Sequence, residues 1–206
     1  MTEMQPLLDK TAIRDVVENW VIWRDAGDWE KFATLWHADG WMMTTWFQAS
    51  AADFIARSRK GFENGLKVLH TSGGTSIELV GNRAVVQSKM EITQRADVDG
   101  VLVDVCCKGR MVDAMIREDG RWSIMLRQPV YELDRMTPVD PAVRLELDPA
   151  LLARFPEGYR HLAYLQVRQG MDVYEKMPGT RGPEIDALWQ RMSLWLEGQP
   201  ANCLHY

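Results

Sequence analysis

The chain has 206 residues, a length that suits one globular domain with room for an appendage. Its net charge of -5, with no basic run, argues against a nucleic-acid-binding surface. The balance of 46% hydrophobic and 26% charged residues is ordinary for a globular protein, and no apolar run approaches membrane-spanning length. The N-terminal stretch "MTEMQPLLDKTAIRD" lacks a basic-then-apolar order, so no secretory leader is expected. Cys106, Cys107 and Cys203 form no disulfide framework, which predicts reduced thiols and a cytoplasmic setting. On a strand, Cys106 and Cys107 point to opposite faces, so inert packing is expected of them.

A first helix is predicted from about Leu7 to Ala26, with Ile13, Val16, Val17, Trp20, Val21 and Arg24 at helical spacing. Val17, Val21 and Asp25 lie four apart, which puts a carboxylate on an apolar stripe. Gly27 is a fitting terminator, and Asp28 a fitting cap for a short second helix carrying Trp29, Phe32, Leu35 and Trp36. "GWMMTTWF" reads as a strand. Ser50 and Asp53 resemble a capping box, opening a helix to about Glu63 with Phe54, Ile55, Ser58 and Phe62 inward.

The period then changes. Four long strand-like runs, from "LKVLHTSGGTSIEL" to "RWSIMLRQPVYEL", are separated by "VGN", "DVDG" and "REDG", which predicts an antiparallel meander. Gly73 and Gly74 suggest a bulge that bends the first of them. A proline-containing connector is expected from about Asp134 to Asp148. Asp148-Pro149 then opens a helical part with Tyr159, Leu162, Ala163 and Val167 on one helix, and Ile185, Leu188, Trp189, Met192, Trp195 and Leu196 on another. The order predicts an α+β fold with helices packed on the concave face of a curved antiparallel sheet, followed by a C-terminal helical extension.

Three stretches carry a family resemblance: "RDAGDWEKFATLWHADGWM" around Asp25 through Asp39, "HTSGGT" at His70, Gly73, Gly74 and Thr75, and the hairpin of Asp119, Gly120 and Trp122. Together with the element order they resemble the SnoaL-like branch of the nuclear transport factor 2-like superfamily. Scytalone dehydratase and hexachlorocyclohexane dehydrochlorinase are the types most similar. The resemblance implies a cone-shaped sheet. It covers roughly residues 5–135, dividing the chain into a SnoaL-like domain at 1–135 and a helical extension at 136–206. It implies a catalytic pair of Asp25 and His70, and offers Arg127 as a catalytic cation. The dehydratases carry a tyrosine where this chain has Arg24, a second histidine near Thr93, and an asparagine at Met111. The dyad therefore carries over, and the dehydratase substrate pattern does not.

A carboxylate bonded to one imidazole nitrogen fixes the tautomer and frees the other nitrogen as a base near neutral pH. Arg110, Lys108 or Arg127 is a candidate cation for developing negative charge, and Tyr131 a candidate proton donor. Each residue also has a plain structural reading. Asp25 fits a helix-end carboxylate paired with Arg24, itself read as a surface residue. His70 alone fits a core histidine, and Arg127 fits an ion pair. His37, His161 and His205 are read as non-catalytic. No metal-ligand spacing and no phosphate-binding glycine loop occurs, so neither metal nor cofactor is expected.

Six of nine tryptophans fall in the first quarter of the chain. Most must be core. Together with Met42, Met43, Met90, Met111, Met115 and Met125, they also predict a deep apolar cavity with Asp25 and His70 near its floor. Trp23, Trp41, Trp46, Arg110, Met111 and Tyr131 are the expected substrate contacts. The expected activity is a cofactor-free lyase acting on a bulky aromatic molecule. It would proceed by dehydration, or by loss of formaldehyde from a lignin-derived diaryl propanediol to leave a stilbene, as in the diarylpropane formaldehyde-lyase type. An isomerase or cyclase, a binding module and an oxygenase small subunit are the alternatives. The family resemblance implies a dimer or trimer, and the C-terminal helices would serve as a lid or a subunit contact.

Overall fold

The structure is a computed structural model and describes residues 4–205. Helix α1 (Gln5–Ala26) buries Ile13, Val17 and Trp20, three or four positions apart. Gly27, at φ 73, ends it in the left-handed conformation that costs glycine little, and its N–H bonds back to the Arg24 carbonyl. Asp28 caps α2 (Trp29–Ala33). That helix is shorter than its apolar stripe suggests. Trp36 belongs instead to strand β1 (Trp36–Met43), because the Leu35 carbonyl is taken by the Ile124 N–H and Trp36 pairs with Ile124. "GWMMTTWF" is likewise not one strand. The chain turns at Thr44 to Phe47, and β2 (Gln48–Ser50) folds back on β1. Ser50 and Asp53 bond reciprocally and open α3 (Ala51–Glu63).

Strands β3 (Lys67–Val80), β4 (Arg83–Val98), β5 (Val101–Glu118) and β6 (Arg121–Pro138) form the expected antiparallel meander. The six-stranded order is β2-β1-β6-β5-β4-β3, with one parallel pair, β1 with β6. The register slips between Ser72 and Thr75, at the two glycines, and again at Lys108/Gly109 and Ala114/Met115. Such bulges bend strands, and the sheet is curved and unclosed. β6 runs on to Pro138, so Asp134 lies on a strand rather than in a connector.

Successive strand residues alternate faces, and the two faces receive different helices. The concave face takes α1 and α3 at one end, around Trp20, Phe32, Phe54, Met115 and Ile124. At the other end it takes α4 (Pro149–Ala153) and α5 (Arg160–Arg168), whose Tyr159 flank, Leu162 and Leu165 pack with Met90, Cys107, Met111 and Tyr131. Helix α6 (Pro183–Leu196) covers the opposite face, setting Ile185, Leu188, Met192 and Trp195 against Val112, Ala114, Leu126 and Val130. The extension therefore splits, one part on each side of the sheet. Gly158, just ahead of α5, lets the chain pass close to β6, since a Cβ there would meet the Tyr131 carbonyl at 2.5 Å. Among the described residues, no helix is long and apolar enough to cross a membrane.

Candidate active site

Asp25 sits at the last turn of α1 and His70 on β3. The carboxylate takes His70 at two points: Oδ2 accepts the main-chain N–H at 2.5 Å, and Oδ1 lies 2.7 Å from Nδ1. Arg24 Nη1 approaches the same Oδ1 at 3.3 Å. Burial by itself would raise the Asp25 carboxyl, but the His70 bonds and the Arg24 charge outweigh it and hold the group ionised, below the usual carboxylate value. Burial pushes His70 below 6.5. The Asp25 bond opposes that shift, and the Arg24 and Arg127 charges add to it. Near neutral pH the pair is a carboxylate and a neutral imidazole, with Nδ1 engaged and Nε2 left over. The edge of His70 meets Trp20 at a ring distance of 5.3 Å.

His70 borders a cavity of about 470 Å³ between the concave face, α1, α3 and α5. That volume lies within the range of roughly 300–1,000 Å³ usual for small-molecule sites. Trp20, Met42, Trp46, Phe54, Ile92, Met111 and Leu162 supply apolar wall. Tyr131 contributes the sheet side. It bonds with Thr45, and burial raises its hydroxyl far above the usual phenol value, so it stays protonated. Thr45 in turn donates to Gln166 of α5 at 2.7 Å, and the Tyr174 N–H donates to the Thr45 carbonyl. The C-terminal extension thus walls the cavity of its own chain.

Of the residues expected from sequence, His70, Trp46, Met111 and Tyr131 line this cavity, with Asp25 behind His70. Trp23, Trp41 and Arg110 do not line it. Trp41 neighbours the cavity residue Met42 and Arg110 neighbours Met111, so alternation turns both to the other face. Trp41 packs with the α6 core and its ring meets His205 at 4.9 Å. Arg110 pairs with Glu132 at 2.6 Å and with Gln87. Lys108 pairs with Glu91. On α1 it is Trp20 and Arg24, one turn apart, that face the cavity, and Trp23 packs against the first core. Arg127 is on the concave face but fully buried, in a two-bond pair with Asp113 at 2.6 and 2.8 Å and 4.4 Å over the Trp20 ring. It reaches a second, water-sized void beside His70, Ser72 and Ser88 rather than the main cavity.

Arg24, read from sequence as a surface residue, is 7% exposed and lines the cavity, because Trp20 four positions earlier fixes that face inward. Sequence reasoning also passed over Arg57, Ser58 and Lys60 of α3, and Gln166 and Met171 of the extension. Ser58 carried a signal, a hydroxyl on an apolar stripe. The extension carried none, since nothing local specifies which face it covers.

Helices in the hollow of a curved open sheet, with an acid–histidine pair at a cavity between them, define an α+β protein of the nuclear transport factor 2-like superfamily. The chain belongs to its SnoaL-like domain family, which matches residues 5–128. A PEP2-like protein of Fusarium vanettenii is 35% identical over 204 residues, spanning 94% of this chain and 88% of its own. A scytalone dehydratase-like protein of Novosphingobium aromaticivorans shares the fold at 20% identity and a TM-score of 0.55, over 71% of this chain and 100% of its own. A hexachlorocyclohexane dehydrochlorinase, LinA type 2, does so at 12% identity and 0.56, over 72% of this chain and 99% of its own.

Proposed function

We propose that the chain is a lyase that eliminates a leaving group from an aromatic small molecule, using Asp25 and His70 as its base and needing no cofactor. The carrying observation is the two-point grip of Asp25 on His70, which commits Nδ1 and leaves Nε2 for a ligand in the cavity. In the dehydration form, His70 Nε2 takes a proton from a carbon activated by the aromatic ring. That bond's electron pair becomes a carbon–carbon double bond, and the neighbouring carbon–oxygen bond breaks. Tyr131 donates a hydrogen bond to the departing oxygen, and the proton held by His70 leaves with it as water. Asp25 steadies the transient imidazolium. Aromatic walls hold the ring system. Neither step moves an electron to a carrier. The same base acting on the terminal hydroxyl proton of a diaryl propanediol would instead break the carbon–carbon bond to that carbon, which leaves as formaldehyde. The freed electron pair becomes the double bond of a stilbene as the neighbouring hydroxyl departs, taking the proton from His70 to leave as water.

The test is incubation of the protein with phenolic alcohols and diaryl propanediols, reading product masses beside Asp25→Asn and His70→Ala. Loss of one water, or of one formaldehyde together with one water, abolished in both variants, is the expected result. Products of unchanged mass would replace the lyase with an isomerase, and turnover indifferent to both variants would remove the dyad from the chemistry.

A further inference from the structure

The helical side of the cavity holds donors with nothing to donate to. Trp20 Nε1, Arg24 Nε and Ser58 Oγ are buried without a hydrogen-bond partner, and all three residues line the cavity. Trp20, Arg24 and Ser58 are 1%, 7% and 3% exposed, so water reaches them poorly. Native proteins rarely leave such groups unpaired. Indole and guanidinium nitrogens can only donate, so what would satisfy them is an acceptor. The Trp20 and Phe54 rings stack at 6.3 Å, and Arg24 and Ser58 each lie four residues on from those rings, on the same helix faces.

The charge pattern says which acceptor. The lining holds three cationic side chains, Arg24, Arg57 and Lys60, against one acidic one, Asp172, among the described residues. Asp25 is bonded mainly to His70 and touches Arg24 only through Nη1 at 3.3 Å. Asp25 thus engages one guanidinium nitrogen, and a second carboxylate that reached Arg24 would satisfy its buried, unpaired Nε and take the Ser58 hydroxyl as a further donor.

We propose that this wall is a carboxylate subsite: the ligand is an aromatic carboxylic acid whose carboxylate is received by Arg24 and Ser58, while its ring system reaches toward His70 and Tyr131. The proposal rests on the reading of this cavity as the active site, and it names the class of substrate. Arg24, which stands where the dehydratases have a tyrosine, is then the residue that sets specificity.

The experiment is equilibrium binding of 2-naphthoate and of the matched neutral 2-naphthamide, followed by tryptophan fluorescence. The full chain is compared with Arg24→Gln, Ser58→Ala and His70→Ala, each checked for folding by thermal melting. The acid should bind about tenfold or more tighter than the amide, as a charge-assisted contact would give. Arg24→Gln should abolish that preference, Ser58→Ala should reduce it, and His70→Ala should leave it in place. Equal binding of acid and amide, binding of neither, or a preference untouched in Arg24→Gln and Ser58→Ala would overturn the subsite. Selective acid binding without turnover of any acid would instead sink the lyase and leave the subsite standing. Turnover of neutral substrates with no acid preference would do the reverse.

Discussion

Asp134 grips His161 in the way that Asp25 grips His70. One carboxylate oxygen accepts the histidine's main-chain N–H, at 2.6 Å against 2.5 Å, and the other meets Nδ1, at 2.8 Å against 2.7 Å. The surroundings separate the two. His161 opens α5, and Asp134 also accepts the Leu162 N–H at 2.8 Å, so this carboxylate caps the helix that walls the cavity. His161 does not line the cavity, whereas His70 does. His161→Ala should therefore leave turnover unchanged. Asp134→Ala, which leaves buried N–H groups unpaired, should cost about 1–3 kcal/mol of stability and raise KM by loosening α5. Thermal melting with steady-state kinetics reads both.

At the first pair the expectation is the opposite one. Asp25→Asn and His70→Ala should each lower kcat by about 10² or more while the fold persists, the scale of general base catalysis. Tyr131→Phe keeps the ring packed against Tyr159 but removes the hydroxyl's bond with Thr45, so it should lower kcat less than either of those variants and cost about 1–3 kcal/mol of stability. Product formation by mass spectrometry distinguishes the three.

The pH dependence has a definite sign. His70 must be neutral to act, and its folded value lies below 6.5. The kcat/KM profile should thus be flat at neutral pH and fall on an acid limb that starts below 6.5. Asp25→Asn removes the group that raises His70, so the limb should move to still lower pH on a lower plateau. The same shift acts on stability. Below 6.5 the unfolded chain takes up the His70 proton before the folded one does, so stability from this group is lost as pH falls from about 6.5 toward the folded value, and is intact above it. His70→Gln should flatten that part of a melting-temperature profile. An acid limb at or above 6.5 would remove His70 as the base.

Much of this arrangement was legible because it is written in short-range pattern. Helix spacing put Asp25 on an inward stripe, turn chemistry gave the meander, and Gly73-Gly74 marked a bulge that the register confirms. What failed was the side of the sheet. Met42 and Trp41, or Met111 and Arg110, differ by one residue and therefore by a whole face, and four register shifts, one of them ending at Trp41, move the phase along the strands. Residue type alone pulled Trp41 and Arg110 into the pocket, and strand alternation takes them out. The extension was opaque for another reason. The apolar stripe of α6 fits any flat apolar surface, and only the apolar row of Val112, Ala114, Leu126 and Val130, brought together by strand pairing, decides where it lands.

Arg127 separates a structural reading from a catalytic one. Its guanidinium and the Asp113 carboxylate are almost wholly buried, 1% and 0% exposed as side chains. Arg127→Met alone strands the Asp113 charge and should destabilise by about 3–5 kcal/mol. Arg127→Met with Asp113→Leu removes both charges and should recover most of that loss. If the pair only supports the floor beneath Trp20, the double variant should also recover turnover. A double variant that melts like the parent yet stays inactive would return Arg127 to the chemistry.

Helix α6 tests whether the two faces are functionally independent. Leu188 is fully buried against the sheet face away from the cavity, and Trp195 packs there under Arg83, whose guanidinium lies 4.0 Å over its ring. Leu188→Ala opens a core cavity and should cost about 2–5 kcal/mol. No α6 residue lines the active-site cavity, so KM and the product should stay as they are at temperatures where the variant is folded. Gln166→Ala on α5 should behave in the opposite sense. It breaks the 2.7 Å bond from Thr45, which holds Tyr131 and the extension together, so KM should rise with a smaller loss of stability. Paired melting and kinetic measurements on both variants decide it: a KM that moves with Leu188→Ala would mean that the sheet transmits strain from one face to the other, and the independence would fail.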